Sequence, residues 1–165
     1  MNSPGGIAMA ERKKPVEKGE TAPDFSLKDQ NGNDFTLSSM KGKRIILSFH
    51  PLAWTGICAQ QMKALETNKG KFAALNTEAV GISVDSVPTK KAWADDLGIK
   101  TTRLLSDFWP HGRVARLYGV FREIDGISER ANFVIDEYGN VGFVKVYGLS
   151  QLPDIEEVIN VLKKL

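Results

Sequence analysis

The chain has 165 residues, of which 42% are hydrophobic and 25% charged, with a net charge of +2 and a single cysteine. This balance predicts one globular domain with a proper core, and the absence of a basic stripe argues against nucleic acid as a partner. One cysteine excludes an intrachain disulfide framework, and no apolar run approaches the length that spans a bilayer.

The chain divides into two parts. We expect residues 1–18 to form a flexible N-terminal extension and residues 19–165 to form the single domain. The first ten residues lack a cationic start followed by a long apolar stretch, so they do not predict a secretory signal. We therefore expect a cytoplasmic protein with neither a membrane nor a nucleic acid among its partners.

The domain is predicted to begin with a β-hairpin, because a turn cluster at 29–33 lies between two short apolar stretches. A loop or a single helical turn is expected over 37–43. The apolar run 45–49 then predicts a buried strand.

A long helix is expected over about 56–75, where apolar residues recur at helical spacing, and Gly70 is expected to weaken or kink it. The apolar run 79–84 predicts a second buried strand. A further helix is predicted from Pro88 to about residue 97, because proline favours helix starts and Gly98 can end the helix.

The last third of the chain completes the fold. We predict a short strand at 104–106, a helix at 112–118, strands at 130–135 and 141–146 around a turn at 137–140, and a final helix that starts at Pro153. This order of elements is typical of a three-layer α/β domain with a central mixed β-sheet.

Cys58 lies where chemistry is expected. It follows the 45–49 strand and falls in the first turn of the 56–75 helix. Unpaired backbone N–H groups and the helix dipole favour negative charge there, so a thiol loses its proton more easily and becomes the nucleophilic thiolate. The alternative is an inert small hydrophobic side chain in the core, which is the commoner role of a lone cysteine.

The spacing Pro51-x-x-x-Thr55-x-x-Cys58 resembles the active-site motif of the peroxiredoxins, the AhpC/TSA family of thiol peroxidases. Gln61 falls where that family usually has Glu or Gln. Arg130 lies in a segment similar to the family's R-x-x-F-(V/I)-(V/I)-D, whose Arg lies beside the thiolate. The resemblance runs from about residue 19 to the C-terminus and implies a thioredoxin-like fold with an N-terminal β-hairpin extension.

Each residue of the motif has a chemical use in peroxide reduction. Cys58 supplies the sulfur that attacks one peroxide oxygen, and the Thr55 hydroxyl can accept from one oxygen while donating to the other or to the sulfur. Arg130 is permanently cationic, so it favours the thiolate and can hold the peroxide. Pro51 has no N–H and a fixed φ, so it can shape the loop and shield the sulfur from water.

The same residues also have ordinary interpretations. These are a helix N-cap for Thr55, a strand end for Pro51, a solvated helix residue for Gln61, and a surface ion pair of Arg130 with Glu129 or Asp125. Their joint occurrence at the family's spacing favours the catalytic interpretation.

His50 directly precedes Pro51, and His-Pro at this place resembles the one-cysteine subfamily. The imidazole can hydrogen-bond near the sulfur and, if protonated, stabilise the thiolate. The alternative is a strand-end histidine that a backbone carbonyl satisfies. His111 receives no catalytic role, and two histidines and one cysteine far apart in sequence predict no metal site.

The sequence therefore predicts a thiol peroxidase that reduces hydrogen peroxide and organic hydroperoxides through a Cys58 sulfenic acid, without a cofactor, in antioxidant defence. Thioredoxins carry W-C-x-x-C at the corresponding helix start, but here Thr55 replaces the first cysteine, and dithiol exchange needs both sulfurs. The alternatives are a thiol-disulfide oxidoreductase or binding protein on the same fold, and a peroxide sensor or holdase.

The reset of the sulfur is expected to depend on another molecule. No second cysteine exists, and Lys63 stands at the place, five residues on, where one subfamily has its resolving cysteine. We expect an external thiol reductant, either a small thiol or a glutaredoxin- or thioredoxin-like protein. The resemblance also implies a homodimer built from loops that flank the active site.

Overall fold

The structure, a computed structural model, describes residues 12–165. Its strands are β1 (Ser26–Lys28), β2 (Asp34–Thr36), β3 (Arg44–Phe49), β4 (Thr77–Ser83), β5 (Arg103–Ser106), β6 (Phe121–Arg122), β7 (Ile127–Ser128), β8 (Arg130–Ile135) and β9 (Val141–Tyr147). Its helices are α1 (Gly56–Thr67), α2 (Lys69–Ala74), α3 (Val87–Leu97), α4 (Arg113–Leu117) and α5 (Ile155–Lys164), with a 3-10 turn at Leu37–Met40.

A seven-stranded mixed sheet organises the molecule, in the order β2-β1-β5-β4-β3-β8-β9. Strands β3, β4 and β5 run parallel, and the remaining pairs are antiparallel. The carboxyl ends of three parallel strands therefore meet at one edge of the sheet, next to the start of α1. This is the three-layer α/β fold with a mixed sheet that the sequence predicts.

The two faces of the sheet bury two cores, because side chains of a strand alternate between faces. Leu47 and Phe49 of β3 belong to a core that contains the ring of Tyr118. Ile46 belongs to the other core, with apolar residues of α1, α2, α3 and α5. The side chain of Cys58 belongs to this second core, on the face of the sheet that the helices cover.

The predicted hairpin is confirmed, since β1 pairs antiparallel with β2. The expected single helix over 56–75 is instead two helices that meet at Asn68, two residues before Gly70. The Asn68 side chain donates to the Ala64 carbonyl at 2.8 Å. Such a local side-chain bond competes with the helix backbone, and Gly70 lies inside α2 rather than at the break. The short β6–β7 hairpin was not predicted.

Part of the expected N-terminal extension lies among the described residues. Val16 is fully buried, and its N–H donates to the Tyr118 carbonyl at 3.1 Å. Gly119 has φ +72°, and a side chain there would collide with the Lys14 carbonyl. The stretch around residues 14–16 therefore packs against the loop after α4, whereas residues 1–11 lie outside the described part.

Within residues 12–165, every helix is too short or too polar to cross a bilayer.

Candidate active site

Cys58 lies in the first turn of α1, at the carboxyl end of β3, as the sequence predicts. The turn follows Thr55, the extended N-cap residue, and the first N–H groups of a helix have no intrahelical partner. The side chain is 1% exposed and packs in the core. Burial alone fits an inert cysteine as well as a reactive one, so the polar groups around the sulfur decide between the two.

Arg130 provides the nearest of these groups. Its Nη1 lies 3.4 Å from Cys58 Sγ and donates to Gln61 Oε1 at 2.7 Å. Its Nε and Nη2 donate to the Leu149 carbonyl at 3.2 and 2.8 Å. Arg130 is 3% exposed, so a fixed cation faces the sulfur in a buried site.

The alternative of a surface ion pair for Arg130 is wrong. Asp125 and Glu129 are instead bound by Arg122, from the β6–β7 hairpin. Arg130 reaches the sulfur because β8 pairs antiparallel with β3, with Ala131 opposite Phe49. Its side chain thus leaves the sheet at the edge where β3 ends and α1 begins.

Gln61 orients the guanidinium from α1. While its Oε1 accepts from Arg130, its Nε2 donates to Ser48 Oγ at 2.7 Å and to the Phe49 carbonyl at 3.2 Å. Ser48 Oγ in turn donates to Asn132 Oδ1 at 2.7 Å. Gln61 is buried, so the alternative of a solvated helix residue is also wrong.

Ser48 and Asn132 were not predicted to belong to this network. They face each other in the pairing of β3 with β8, and both are buried. The sequence could have indicated this pair, because Ser48 and Asn132 are each a polar residue inside an apolar run. A buried polar side chain requires a hydrogen-bond partner.

Thr55 occupies the N-cap position of α1, but its side chain makes no capping hydrogen bond. Its hydroxyl donates instead to the Leu52 carbonyl at 2.8 Å. The lone pairs of the oxygen are then free to accept a hydrogen bond from a ligand. Thr55 is exposed, whereas Cys58 three residues further on is buried.

The loop before α1 is held to the neighbouring strand. The Ala53 N–H donates to Asp85 Oδ2 at 2.8 Å, and the Ser83 hydroxyl donates to the same oxygen at 2.6 Å. Pro51 is buried at the start of this loop, and Trp54 adopts φ +66°, which is rare for a residue with a side chain. The carboxylate thus fixes the backbone that leads to Thr55 and Cys58.

His50 is fully buried. Its Nδ1 lies 3.5 Å from the Ser48 carbonyl, and its Nε2 lies 3.0 Å from Lys90 Nζ. Burial, together with the charge of Lys90, holds the pKa of His50 well below its ordinary value. The imidazole is therefore neutral at neutral pH, which does not support a protonated His50 beside the thiolate. Lys90 was not predicted from the sequence, because its burial depends on the packing of α3.

His111 lies apart from this site. Its Nε2 is 2.6 Å from the Gly126 carbonyl, so the imidazole links its loop to the β6–β7 hairpin. Within residues 12–165, no three His, Cys, Asp or Glu side chains cluster in a way that could hold a metal ion. The arrangement around Cys58 is therefore one thiol, faced by a buried guanidinium and by the N–H groups of a helix start, a combination that stabilises a thiolate.

The chain is similar to known proteins over most of its length. Residues 18–144 match the AhpC/TSA family. The chain is 46% identical over 129 residues to alkyl hydroperoxide reductase E of Mycobacterium tuberculosis, covering 78% of this chain and 84% of that protein. It is 35% identical over 151 residues to the chloroplastic peroxiredoxin Q of Sedum lineare, covering 91% of this chain and 80% of that protein.

Solved structures resemble it over most of its length. The reduced 2-Cys peroxiredoxin of Plasmodium vivax superposes with a TM-score of 0.81 at 29% identity, covering 90% of this chain and 81% of the other. Peroxidoxin BcpB of Mycobacterium tuberculosis superposes with a TM-score of 0.80 at 28% identity, covering 91% of this chain and 98% of the other.

Proposed function

Because the chain belongs to the AhpC/TSA family, whose members include the peroxiredoxins, we propose that Cys58 is the sulfur with which it reduces peroxides. The protein is a thiol peroxidase with a thioredoxin-like fold. The observation that carries the proposal is the contact of Arg130 Nη1 with Cys58 Sγ, 3.4 Å long and buried. An inert core cysteine has no need of a buried cation, and burial of a cation is costly.

The proposed step transfers two electrons from sulfur to peroxide. A lone pair of the Cys58 thiolate attacks one peroxide oxygen, the S–O bond forms as the O–O bond breaks, and the other oxygen leaves as hydroxide or alkoxide and takes up a proton. Cysteine is oxidised to the sulfenic acid, which keeps one peroxide oxygen, and the other oxygen is released as water from hydrogen peroxide or as an alcohol from an organic hydroperoxide. Arg130 and the N–H groups of α1 stabilise negative charge on the reacting oxygens.

Thr55 and Pro51 complete the proposed site. The Thr55 hydroxyl accepts from the peroxide O–H while it donates to the Leu52 carbonyl, a hydrogen bond that fixes the direction of its lone pairs. Pro51 is buried at the head of the same loop and limits the access of water to the sulfur. Gln61 does not touch the peroxide in this proposal; it holds Arg130 in place.

We propose an external thiol as the reductant, because the chain carries one cysteine. A thiolate attacks the sulfenic sulfur, the hydroxyl leaves as water after protonation, and a mixed disulfide forms on Cys58. A second thiol then releases the Cys58 thiolate. A cycle of this kind suits a reducing compartment such as the cytoplasm, which supports the expected localisation.

The test replaces Cys58 by Ser, which is similar in size but is not ionised at neutral pH. Peroxide consumption with a small thiol as reductant is expected to disappear, and mass spectrometry of the wild type with limiting thiol should find the mixed disulfide on Cys58. Under excess peroxide without thiol, sulfinic acid should accumulate instead, because no internal thiol captures the sulfenic acid. Retained turnover in Cys58→Ser would contradict the proposal.

The same assay separates the other functions. A thiol-disulfide oxidoreductase would not consume peroxide when only the protein and a small thiol are present. A sensor would react once per chain without catalytic turnover. Many turnovers per Cys58 are expected here.

A further inference from the structure

Ser48 and Asn132 form a buried polar pair among apolar side chains. The two residues face each other in the pairing of β3 with β8, and the Ser48 hydroxyl donates to Asn132 Oδ1 at 2.7 Å. Ser48 has no exposed surface, and Asn132 is 2% exposed. Ile46 and Val134, two residues away along each strand, belong to the apolar core on this face. Polar atoms in such a place require specific partners.

We propose that Ser48 and Asn132 are positioning residues of the peroxidase site, which act on the Cys58 sulfur through Gln61 and Arg130. This inference rests on the proposed role of Cys58. It extends the site by two side chains that are joined to Gln61 one after the other.

The periodicities of strand and helix bring these groups together. Successive side chains of a strand alternate between faces, so Arg130 and Asn132, two residues apart on β8, lie on the same face. Residues three apart on a helix are neighbours, so Cys58 and Gln61 share one side of α1. Gln61 is thus joined to β8 by two routes. One is its direct hydrogen bond with Arg130, and the other runs through Ser48 to Asn132.

The donors and acceptors along these routes allow one orientation of the Gln61 amide. The guanidinium of Arg130 has donors only and the Phe49 carbonyl accepts only, so Oε1 faces Arg130 at 2.7 Å and Nε2 faces the carbonyl at 3.2 Å. Nε2 also donates to Ser48 Oγ at 2.7 Å. The single proton of that hydroxyl is then left for Asn132, whose Oδ1 accepts it.

Asn132 therefore sets the direction of the hydrogen bonds that support Arg130. With the Asn132 oxygen as acceptor, the Ser48 hydroxyl turns its proton away from Gln61 and offers a lone pair to the amide. Without Asn132, that proton would be free to compete for Gln61 Oε1, the oxygen that holds Arg130 Nη1. Nη1 is also the atom that lies 3.4 Å from Cys58 Sγ, so a guanidinium without this support no longer presents the same N–H to the sulfur.

Stability alone does not account for the polar pair. Replacement of both partners of a buried hydrogen bond by apolar groups of the same shape is nearly neutral or stabilising, whereas removal of one partner is costly. Ser48 and Asn132 considered by themselves could therefore be apolar. The need for polar atoms at this place comes from Gln61, whose amide donates to the Ser48 oxygen.

The test is the double variant Ser48→Ala/Asn132→Leu, which should melt at a higher temperature than Ser48→Ala alone because no asparagine oxygen is left unpaired. The rate constant of Cys58 oxidation by hydrogen peroxide, measured by stopped flow at neutral pH, should fall about three- to tenfold, because the amide that holds the guanidinium loses a hydrogen bond. Thr77→Val is the control. It removes a buried hydroxyl that donates to the Leu75 carbonyl at the start of β4, and should keep the wild-type rate.

A second background separates positioning from a general structural effect. If the pair acts through Arg130, the double variant should cost no further rate once Arg130 is already methionine. Loss by the same factor in the wild-type and Arg130→Met backgrounds would overturn the inference, as would a double variant with the wild-type rate. Retained turnover in Cys58→Ser would instead overturn the proposed function, and this inference with it.

A measurement on the wild type requires no substitution. Since Ser48 Oγ and the Phe49 carbonyl both accept from Nε2, the side-chain amide protons of Gln61 should exchange with deuterated water at least about tenfold more slowly than those of Gln151, which is exposed. NMR of the two side-chain amides measures both rates. Exchange of Gln61 at the rate of Gln151 would overturn the inference, even if the double variant failed to fold.

Discussion

The guanidinium of Arg130 divides its donors between the Cys58 sulfur, the Gln61 amide and the Leu149 carbonyl. Because Gln61 and Leu149 hold the guanidinium in one orientation, the direction of the N–H group that points towards the Cys58 sulfur is fixed as well. Such preorganised donors stabilise developing charge without having to reorient during the reaction.

For Arg130→Met, we expect the rate of peroxide reduction to fall about 10- to 100-fold, because hydrogen bonds to a charged group are worth about 1.5–3 kcal/mol. Arg130→Lys should recover only part of the rate, since an ammonium cannot span Gln61 and Leu149 at once. Stopped-flow peroxide kinetics would measure both variants. Arg122→Met is the control, because Arg122 pairs with Asp125 and Glu129 away from the sulfur; equal losses in Arg122→Met and Arg130→Met would contradict a specific role.

Substitution of Thr55 is expected to change the rate of peroxide reduction far more than the stability of the fold. Thr55→Val keeps the side-chain shape but removes a hydroxyl that makes one exposed hydrogen bond, to the Leu52 carbonyl. We expect the free energy of unfolding to change by less than about 1 kcal/mol, while the peroxide rate falls at least about tenfold. Thr55→Ser should retain most of the rate. Urea unfolding and peroxide kinetics measure the two quantities, and a wild-type rate in Thr55→Val would reduce Thr55 to the start of a helix.

At the scale of elements, α1 is fixed at both ends. Its start is held by the loop that Asp85 binds, and its last turn is held by Glu66, whose carboxylate accepts from the N–H groups of Lys100, Thr101 and Thr102. The helix that carries Cys58 is thus tied to the segments that follow β4 and α3. This explains how a short helix can hold the sulfur in a constant position.

Glu66→Gln tests this anchor through pH. Burial raises the pKa of Glu66, but the hydrogen bonds from Thr102, Lys69 and Lys100 outweigh it and lower the value to about 2. A carboxyl with a lowered pKa stabilises the fold above its unfolded pKa, near 4.5, and that stability is lost as the pH falls towards 2. We expect Glu66→Gln to cost about 1–2 kcal/mol at neutral pH, after allowance for solvent screening.

Urea unfolding from pH 7 to pH 3 would check this expectation. The difference between wild type and Glu66→Gln should shrink as the pH falls. Asp95→Asn, which removes an exposed ion pair with Lys91, should change little at any pH. A difference between wild type and Glu66→Gln that stays constant over this range would rule out the carboxylate as the anchor.

At the scale of the whole molecule, the sheet edge that carries Cys58 also exposes apolar side chains. Leu52 and Trp54 follow the carboxyl end of β3, Phe108 and Trp109 follow that of β5, and Ile124 lies in the β6–β7 hairpin before β8; all five side chains are exposed. Several large apolar side chains exposed in the loops at one end of a sheet are typical of an interaction surface. We propose that a second copy of the chain covers it, so that the active-site loops of two protomers meet.

Trp109→Glu should therefore shift a dimer towards monomer, because it places a charge at a residue that is 81% exposed in the single chain. Tyr138→Glu is the matched control, since Tyr138 is 80% exposed but lies in the β8–β9 turn, at the opposite end of the sheet. Sedimentation velocity would measure the oligomer. A monomeric wild type, or a Trp109→Glu variant that remains dimeric, would contradict the proposed interface.

The sequence by itself determined the elements and the position of the sulfur. Periodicity and turn residues predicted the strands at 45–49 and 130–135, and the spacing of Pro51, Thr55 and Cys58 identified the site, because these features depend on neighbours along the chain. The sequence predicted the weak point of the 56–75 helix at Gly70, whereas the helix breaks at Asn68. The hydrogen bond of the Asn68 side chain to the Ala64 carbonyl cannot be predicted from composition.

Only the tertiary structure decided which distant polar residues meet. The pairing of β3 with β8 brings Ser48 to Asn132, which the sequence did not predict. The same pairing carries Arg130 to Cys58, across 72 residues of sequence, a meeting that only the family resemblance had indicated. The packing of α3 buries Lys90 against His50, and burial together with this neighbour holds the pKa of the histidine well below its ordinary value. Burial and long-range contact set the charge of such groups, and neither is fixed by a residue's neighbours along the chain.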